Sequence, residues 1–423
     1  MVRVVQSPRL SWSSLPPRAR IAATLGLGQV AGRGGLAVGL LLLVRALSPA
    51  DFGDLALLLA LTAILVTVSD AGFGRLIVRD VARSQVDPAS MARALLKVRL
   101  IGVAVVAVIA LTLFLVVPNP FGIVTIALAV TYLASEAIAF GFESAAVGAE
   151  RPWRFVLAQA LFGVTLLGGL AALVATDRAT LPSAVGMLVL ASLLKVTGHL
   201  ASWRSRAGRR AARPLPRRPA RELYRVALPF LGLTLLATIY YRIGVIVLYW
   251  IRGAEETASY AAALRVVDIA ALLAGLVFSA ISPGLSRAHR DRPKDVWVIW
   301  KRAMKVCALA VIPIALVLFL VAHPLCGLLF GSAYQDSTGE DLQWLVPGIA
   351  LMVPQAVGAA VVFMADEHRS VLGLTAMNVT FCVVASAWLS NGFGSAGAAG
   401  ALSAAELLSF VTFAVLIRHR YAR

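Results

Sequence analysis

The sequence predicts an all-α polytopic membrane protein, with about twelve transmembrane helices in two six-helix lobes related as parallel repeats. Three observations predict it. The 423 residues are 60% hydrophobic and only 14% charged, with a mean hydropathy of +0.85, far from the composition of a soluble domain. Apolar runs near the ~20 residues that a helix needs to cross the hydrocarbon core recur along the whole chain. The loops joining those runs alternate between Arg-rich and Arg-poor.

Spans are expected at 21–46, 54–77, 98–117, 121–148, 153–175, 181–203, 223–251, 257–285, 300–322, 341–364, 369–390 and 396–417. The first closes at Arg45-Ala-Leu-Ser-Pro, and the second opens at Asp51-Phe-Gly53 and ends in Gly72-Phe-Gly-Arg75. The third and ninth contain charge-free stretches, Ile101–Val117 and Val306–Ala322. The seventh contains Arg242 and closes at Arg252; the eighth runs from Ala258-Ser-Tyr260 to Ser282-Pro-Gly-Leu285. A loop of under twenty residues is expected around His323–Asp341, and a turn at Gly392-Phe-Gly394 separates the last two spans. Helix is the required type, because lipid leaves the backbone no partner but its own turn. The runs are continuous, without the ten-residue alternation of a membrane β-barrel.

Of the 39 Lys and Arg, 32 fall in loops on one side, four lie within spans, and the opposite loops hold only Arg45, Arg178 and Arg252. By the positive-inside rule both termini are cytoplasmic. The net charge of +18 is therefore a topology signal aided by anionic membrane lipids, and no nucleic-acid partner is expected. The Pro/Arg-rich segment 204–222 reads as an extended cytoplasmic linker. It divides a basic N-terminal segment (1–20) and an N-lobe (21–203) from a C-lobe (223–417) and a cytoplasmic tail (418–423). Six spans per lobe make the repeats parallel, an arrangement in which transporters bind substrate between the lobes and alternate access.

Several short motifs carry a family resemblance. Arg45-Ala-Leu-Ser-Pro-Ala-Asp-Phe-Gly-Asp54 is followed by Ser69-Asp-Ala-Gly-Phe-Gly74. The second half adds Leu228-Pro-Phe230, Ile239-Tyr-Tyr-Arg242, Ala258-Ser-Tyr-Ala-Ala-Ala-Leu-Arg265 and Ser282-Pro283. Leu329-Phe-Gly-Ser-Ala-Tyr334 and Gly394-Ser-Ala-Gly-Ala-Ala-Gly400 come last. In order and spacing, over roughly residues 25 to 417, these motifs resemble the polysaccharide-biosynthesis flippases. Those belong to the multidrug/oligosaccharidyl-lipid/polysaccharide (MOP) exporter superfamily. The resemblance implies a two-lobed transporter of the bacterial cytoplasmic membrane. Its substrate would be a polyprenyl-pyrophosphate-linked oligosaccharide, turned from inner to outer leaflet. Polymerases and glycosyltransferases of the same pathway are the partners implied. The linker is more basic than is usual for that family.

Charges inside spans narrow the site, since each costs about 2.5–3.5 kcal/mol on insertion scales. Arg33, Arg242 and Arg265 fall on spans 1, 7 and 8, which line the central cavity in the resembling family. A guanidinium stays ionised when buried and grips phosphate oxygens in pairs, so these three are the candidate pyrophosphate ligands. Simpler roles stand beside this one: Arg265 and Asp268 share a helical face, Arg242 could snorkel, and Gly32, Gly34 and Gly35 around Arg33 suit close helix packing. Asp70, Glu136, Asp268 and Glu406 are candidate ion-coupling sites, with paired structural carboxylates as the alternative. Glu143 and Lys195 are expected nearer the wetted cytoplasmic ends. Tyr240, Tyr241, Tyr249, Trp250 and Tyr260 are expected as interfacial anchors.

No catalytic residues, metal site or cofactor are expected. The five histidines lack metal-ligand spacing. Gly392-x-Gly394-x-x-Gly397 lacks the strand that a dinucleotide fingerprint needs. Cys307, Cys326 and Cys382 read as small packing residues. A drug/cation antiporter of the related multidrug branch is one alternative, which the cavity-side Arg oppose by repelling a cation. A membrane-embedded polymerase or ligase is another, opposed by the short outer loops.

Overall fold

The computed structural model describes residues 17–74, 100–112, 116, 120–148, 152–204, 220–291, 293–364 and 368–422. The first helix, α1, runs through Pro17–Gln29, a π-turn at Val30–Gly34 and Gly35–Ala46. Then follow α2 (Pro49–Asp70), α3 (Leu100–Thr112), α4 (Ile123–Gly148), α5 (Pro152–Ala175) and α6 (Leu181–Arg204). The second half contains α7 (Ala220–Arg252), α8 (Ala254–Asp291), α9 (Pro293–Leu320) and α10 (Gln335–Met364). Helices α11 and α12 share the run His368–Tyr421 and part at Gly394, whose φ of 59° breaks the helix where the Gly-rich turn is expected. Among the described residues, ten helical stretches are long and apolar enough to span a bilayer. Counting the last as two and adding the shorter α3 gives twelve.

Local chemistry sets the boundaries. Pro49 stands at the start of α2, and the Ser48 hydroxyl accepts the Asp51 N–H at 3.1 Å, an N-cap. At the other end, Ala71 and Gly72 turn left-handed (φ 48° and 80°) and the Asp70 carboxylate accepts the Gly74 N–H at 3.0 and 3.1 Å. The α6 start is reciprocally capped. The Thr180 N–H donates to Ser183 Oγ at 2.8 Å, and the Ser183 N–H returns to Thr180 Oγ1 at 3.4 Å, the logic of a capping box.

The expected loop around His323–Asp341 is instead mostly helical. A nine-residue helix, Ala322–Phe330, leads through a 3-10 turn at Ser332–Tyr334 into α10. Cys326, Phe330 and Tyr334 are buried, and this apolar stripe holds the segment against the second half. Asp341 thereby lies within the first turns of α10.

In the first half α1 packs on α5, and α6 on α4 and α5; in the second, α10 packs on α8 and α12. Helix α2 joins the halves, touching α4 on one side and α7 and α8 on the other. One apolar cluster includes Leu43, Phe52, Leu55, Leu58, Leu166 and Tyr260 and so crosses the junction. By contrast α9 turns Leu309, Ile312, Ile314 and Leu320 outward, a surface suited to lipid.

The α1–α5 contact rests on backbone proximity. A Cβ on Gly35 would lie 2.6 Å from Gly163 Cα, and one on Gly163 would lie 2.2 Å from the Ala31 carbonyl oxygen. Small residues let membrane helices approach this closely. Gly163→Leu is expected to cost at least about 1–3 kcal/mol through overpacking, read as a lower melting temperature in detergent. Gly168→Leu on the same helix, where a Cβ meets nothing within 4 Å, should melt like the wild type. Equal melting of the two variants would contradict this packing.

Candidate functional site

The start of α1, beside Leu276 of α8, and the end of α12, whose Tyr421 meets His289 of α8, lie at one face of the bundle, here the terminal face; the other is the distal face. At the distal face the halves are clasped. Arg45, at the end of α1, donates from Nε to the Leu329 carbonyl at 2.9 Å and from Nη2 to that of Leu328. Those carbonyls belong to the last turn of the nine-residue helix, where a cation complements the helix dipole. Tyr249 of α7 donates to Asp54 Oδ1 of α2 at 2.6 Å. A Cβ on Gly53 would overlap the Ala254 carbonyl oxygen at the start of α8. Arg252, the counterpart of Arg45 in the second hairpin, caps α11 through the Ser390 and Asn391 carbonyls at 3.0 and 2.8 Å.

Deeper, two of the three predicted arginines come together. Arg265 is buried on α8, its Nη1 3.0 Å from Asp268 Oδ2 and its Nε donating to the Ala261 carbonyl at 3.0 Å. Arg242 on α7 is half-buried, close enough for its charge to act on Arg265, on Tyr260 of α8 and on Tyr132 of α4. It forms no ion pair among the described residues. Two guanidinium groups thus lie within electrostatic reach of each other where the second half meets α4 of the first, and one of them is paired with Asp268. Arg242 brings a positive charge with no ion pair among the described residues into a partly buried setting, where electrostatic forces exceed those in bulk water. Tyr241 and the Asp268 carboxylate beside it are partly accessible.

Arg33 stands apart. It lies in the π-turn of α1, the kind of local widening that recurs at functional sites. Its neighbours Gly32 and Gly35 face Gln159 and Gly163 of α5, while Arg33 itself is exposed and has no ion pair among the described residues. It is not among the charges acting on Arg265, which are those of Asp268 and Arg242.

The four predicted carboxylates occupy four settings. Asp70 caps the end of α2. Asp268 pairs with Arg265. Glu136 of α4 accepts Ser192 Oγ at 2.6 Å and the Lys195 ammonium at 2.8 Å, both from α6. Lys195 also meets Glu143 at 3.2 Å and lies 4.8 Å from the Phe162 ring centre of α5. Only 4% of Lys195 is exposed, so it is not the wetted residue expected from its place in the span. The signal was present in the sequence: Glu136 and Glu143 are two turns apart on one face, as are Ser192, Lys195 and His199.

Glu406 of α12 is fully enclosed. Neither carboxylate oxygen has a hydrogen bond among the described residues, and Tyr240 and Tyr241 are its polar neighbours. Asn378 of α11 donates to Ser409 of α12 at 2.6 Å and leaves its Oδ1 without a partner. Tyr240 and Tyr260, expected at the interface, are instead buried in the protein, whereas Trp250 is 58% exposed as an anchor would be.

Comparison with known proteins places this arrangement. Residues 42–339 match the sequence family described as "Polysaccharide biosynthesis protein". No curated protein matches the chain. Among solved structures, an outward-facing multidrug resistance MATE family transporter of the MOP superfamily superposes with a TM-score of 0.66 at 16% identity, covering 97% of each chain. The lipid II flippase MurJ, in an inward closed conformation, gives 0.65 at 14% identity, covering 93% of this chain and 87% of that one. A MOP superfamily transporter from Pyrococcus furiosus gives 0.58 at 14% identity over 95% of both. The chain is a multi-pass membrane protein with the MOP-superfamily transporter fold, and it belongs to the polysaccharide biosynthesis protein family.

Proposed function

We propose that this protein is a flippase, carrying a polyprenyl-pyrophosphate-linked oligosaccharide from the inner to the outer leaflet of the bacterial cytoplasmic membrane. The observation that carries this reading is half-buried Arg242, which forms no ion pair among the described residues, within electrostatic reach of Arg265, whose own partner is Asp268. A second, half-buried cation beside the first is repelled without a counter-charge, and a diphosphate supplies one in the bidentate geometry that guanidinium groups prefer. Arg33 on α1 is the third ligand, meeting the head group at a different stage of passage. The charge asymmetry of the loops supports a cytoplasmic terminal face in this reading. The clasp of Arg45, Asp54 and Tyr249 then closes the outer side, and its release opens that side as the halves rock.

Glu406 is the ion-coupling group in this reading. Of the four carboxyls, Asp70 caps a helix, and Glu136 and Asp268 are paired to cations. Glu406 has neither, and a carboxyl free of a fixed counter-charge can exchange a proton or small cation as its access alternates.

The test is leaflet exchange of a polyprenyl-pyrophosphate sugar in proteoliposomes, with Arg33→Ala beside the wild type. Wild-type exchange well above protein-free vesicles is expected, reduced by roughly tenfold or more in the variant, equivalent to ~1.4 kcal/mol of lost contact. No exchange by the wild type would refute the flippase reading. Exchange unchanged in Arg33→Ala would remove that residue from the pathway.

A further inference from the structure

A second buried acidic position lies within the second half, toward its distal end. Asp341 of α10 has no exposed surface. Its Oδ2 accepts Ser259 Oγ of α8 at 2.5 Å, and that hydroxyl is 3.2 Å from Thr338 Oγ1. Thr338, also fully buried, donates weakly to the Ser259 carbonyl at 3.4 Å. Ser395, at the start of α12, is a further polar neighbour. Yet Asp341 Oδ1 has no hydrogen bond among the described residues. The charged or titratable groups facing it are Glu340 of α10, Glu256 and the Tyr260 phenol of α8, and the Cys326 thiol of the nine-residue helix. None of these supplies a positive charge.

A buried carboxylate with no counter-ion, ringed by hydroxyl and carbonyl oxygens and overlooked by two further carboxylates, is chemically a seat for a hard cation. One inner carboxylate fits a single positive charge; a divalent ion draws on several. We propose that Asp341, Ser259, Thr338 and Ser395 bind one sodium ion between α8, α10 and α12. Exposed Glu340 and half-buried Glu256 draw cations toward it from the distal face. Five residues before Ser259, the Ala254 carbonyl presses on Gly53 of α2, so the ion also braces the helix end against which the first half closes. Nothing in this site involves Arg242, Arg265 or Glu406.

Binding of radioactive sodium to the detergent-solubilised full chain tests it, with choline keeping ionic strength constant. Wild type is expected to bind saturably, and sodium to raise its melting temperature. Asp341→Asn, which keeps the size and the Ser259 contact, is expected to lose that binding and that rise. Ser259→Ala, which keeps the carboxylate, should weaken binding by roughly tenfold or more. Glu406→Gln should retain this site, separating it from the ion-coupling group proposed above. No sodium binding by wild type, or melting that responds only to pH, would overturn the assignment. So would equal binding by wild type and Asp341→Asn, or by wild type and Ser259→Ala should Asp341→Asn fail to fold.

Discussion

Arg242→Gln is expected to reduce transport of a pyrophosphate-linked sugar by at least roughly tenfold, or about 1.4 kcal/mol, while barely changing the melting temperature. The two readouts separate because Arg242 forms no ion pair among the described residues. Its removal breaks no fixed contact and even relieves repulsion of Arg265. A purely structural arginine would show the reverse, with lost stability and a proportional loss of folded protein. Arg242→Lys should recover only part of the activity, since an ammonium cannot reproduce the planar fork. Initial exchange rates normalised to folded protein would decide, and an unimpaired Arg242→Gln rate would count against a phosphate-binding role.

The second large effect concerns folding. Lys195→Met leaves the largely buried carboxylates of Glu136 and Glu143 without the ammonium that lies 2.8 and 3.2 Å from them. Breaking a buried ion pair from one side costs about 3–5 kcal/mol, because the surviving charge has no compensation. We expect a sharply lower melting temperature and poor recovery from the membrane. Adding Glu136→Gln and Glu143→Gln to Lys195→Met should restore most of the stability. Neutral amides do not repel each other, and the amide oxygen at position 136 can still accept from Ser192. Equal melting of Lys195→Met and wild type would show that the triad does not hold α4 to α6.

The spans and their up-and-down order were legible because a hydrocarbon solvent enforces them residue by residue, through apolar length and through the side on which Arg collects. The turn at Gly394 was legible because glycine tolerates the backbone found there. The π-turn around Arg33 was not, since Val-Ala-Gly-Arg-Gly is equally compatible with an unbroken helix. Within the site, which residues are charged inside the membrane was visible at once, but their pairing was not. Arg265 and Asp268 share one helix, so their spacing exposed them. Glu136 and Lys195 come from different helices, and only the packing of α4 on α6 joins them. Gln335–Glu340 reads as loop because it is polar, which puts Asp341 only at the start of its span, although the buried Phe330 and Tyr334 just before anchor the segment to the core. The anchoring role expected of Tyr240 and Tyr260 failed for a related reason. An amphipathic ring suits the membrane interface and also the rim of a buried polar site, and composition does not distinguish the two.

The most direct measurement compares head groups in one assay. Proteoliposomes would be loaded either with a polyprenyl-pyrophosphate sugar or with a glycolipid of equal chain and sugar but no phosphate. Leaflet exchange would then be followed for wild type and for Arg242→Gln/Arg265→Gln. Selective exchange of the pyrophosphate lipid by wild type, lost in the double variant, is the predicted result. Equal exchange of both lipids, or a double variant as fast as wild type, would mean that the two guanidinium groups do not carry the diphosphate.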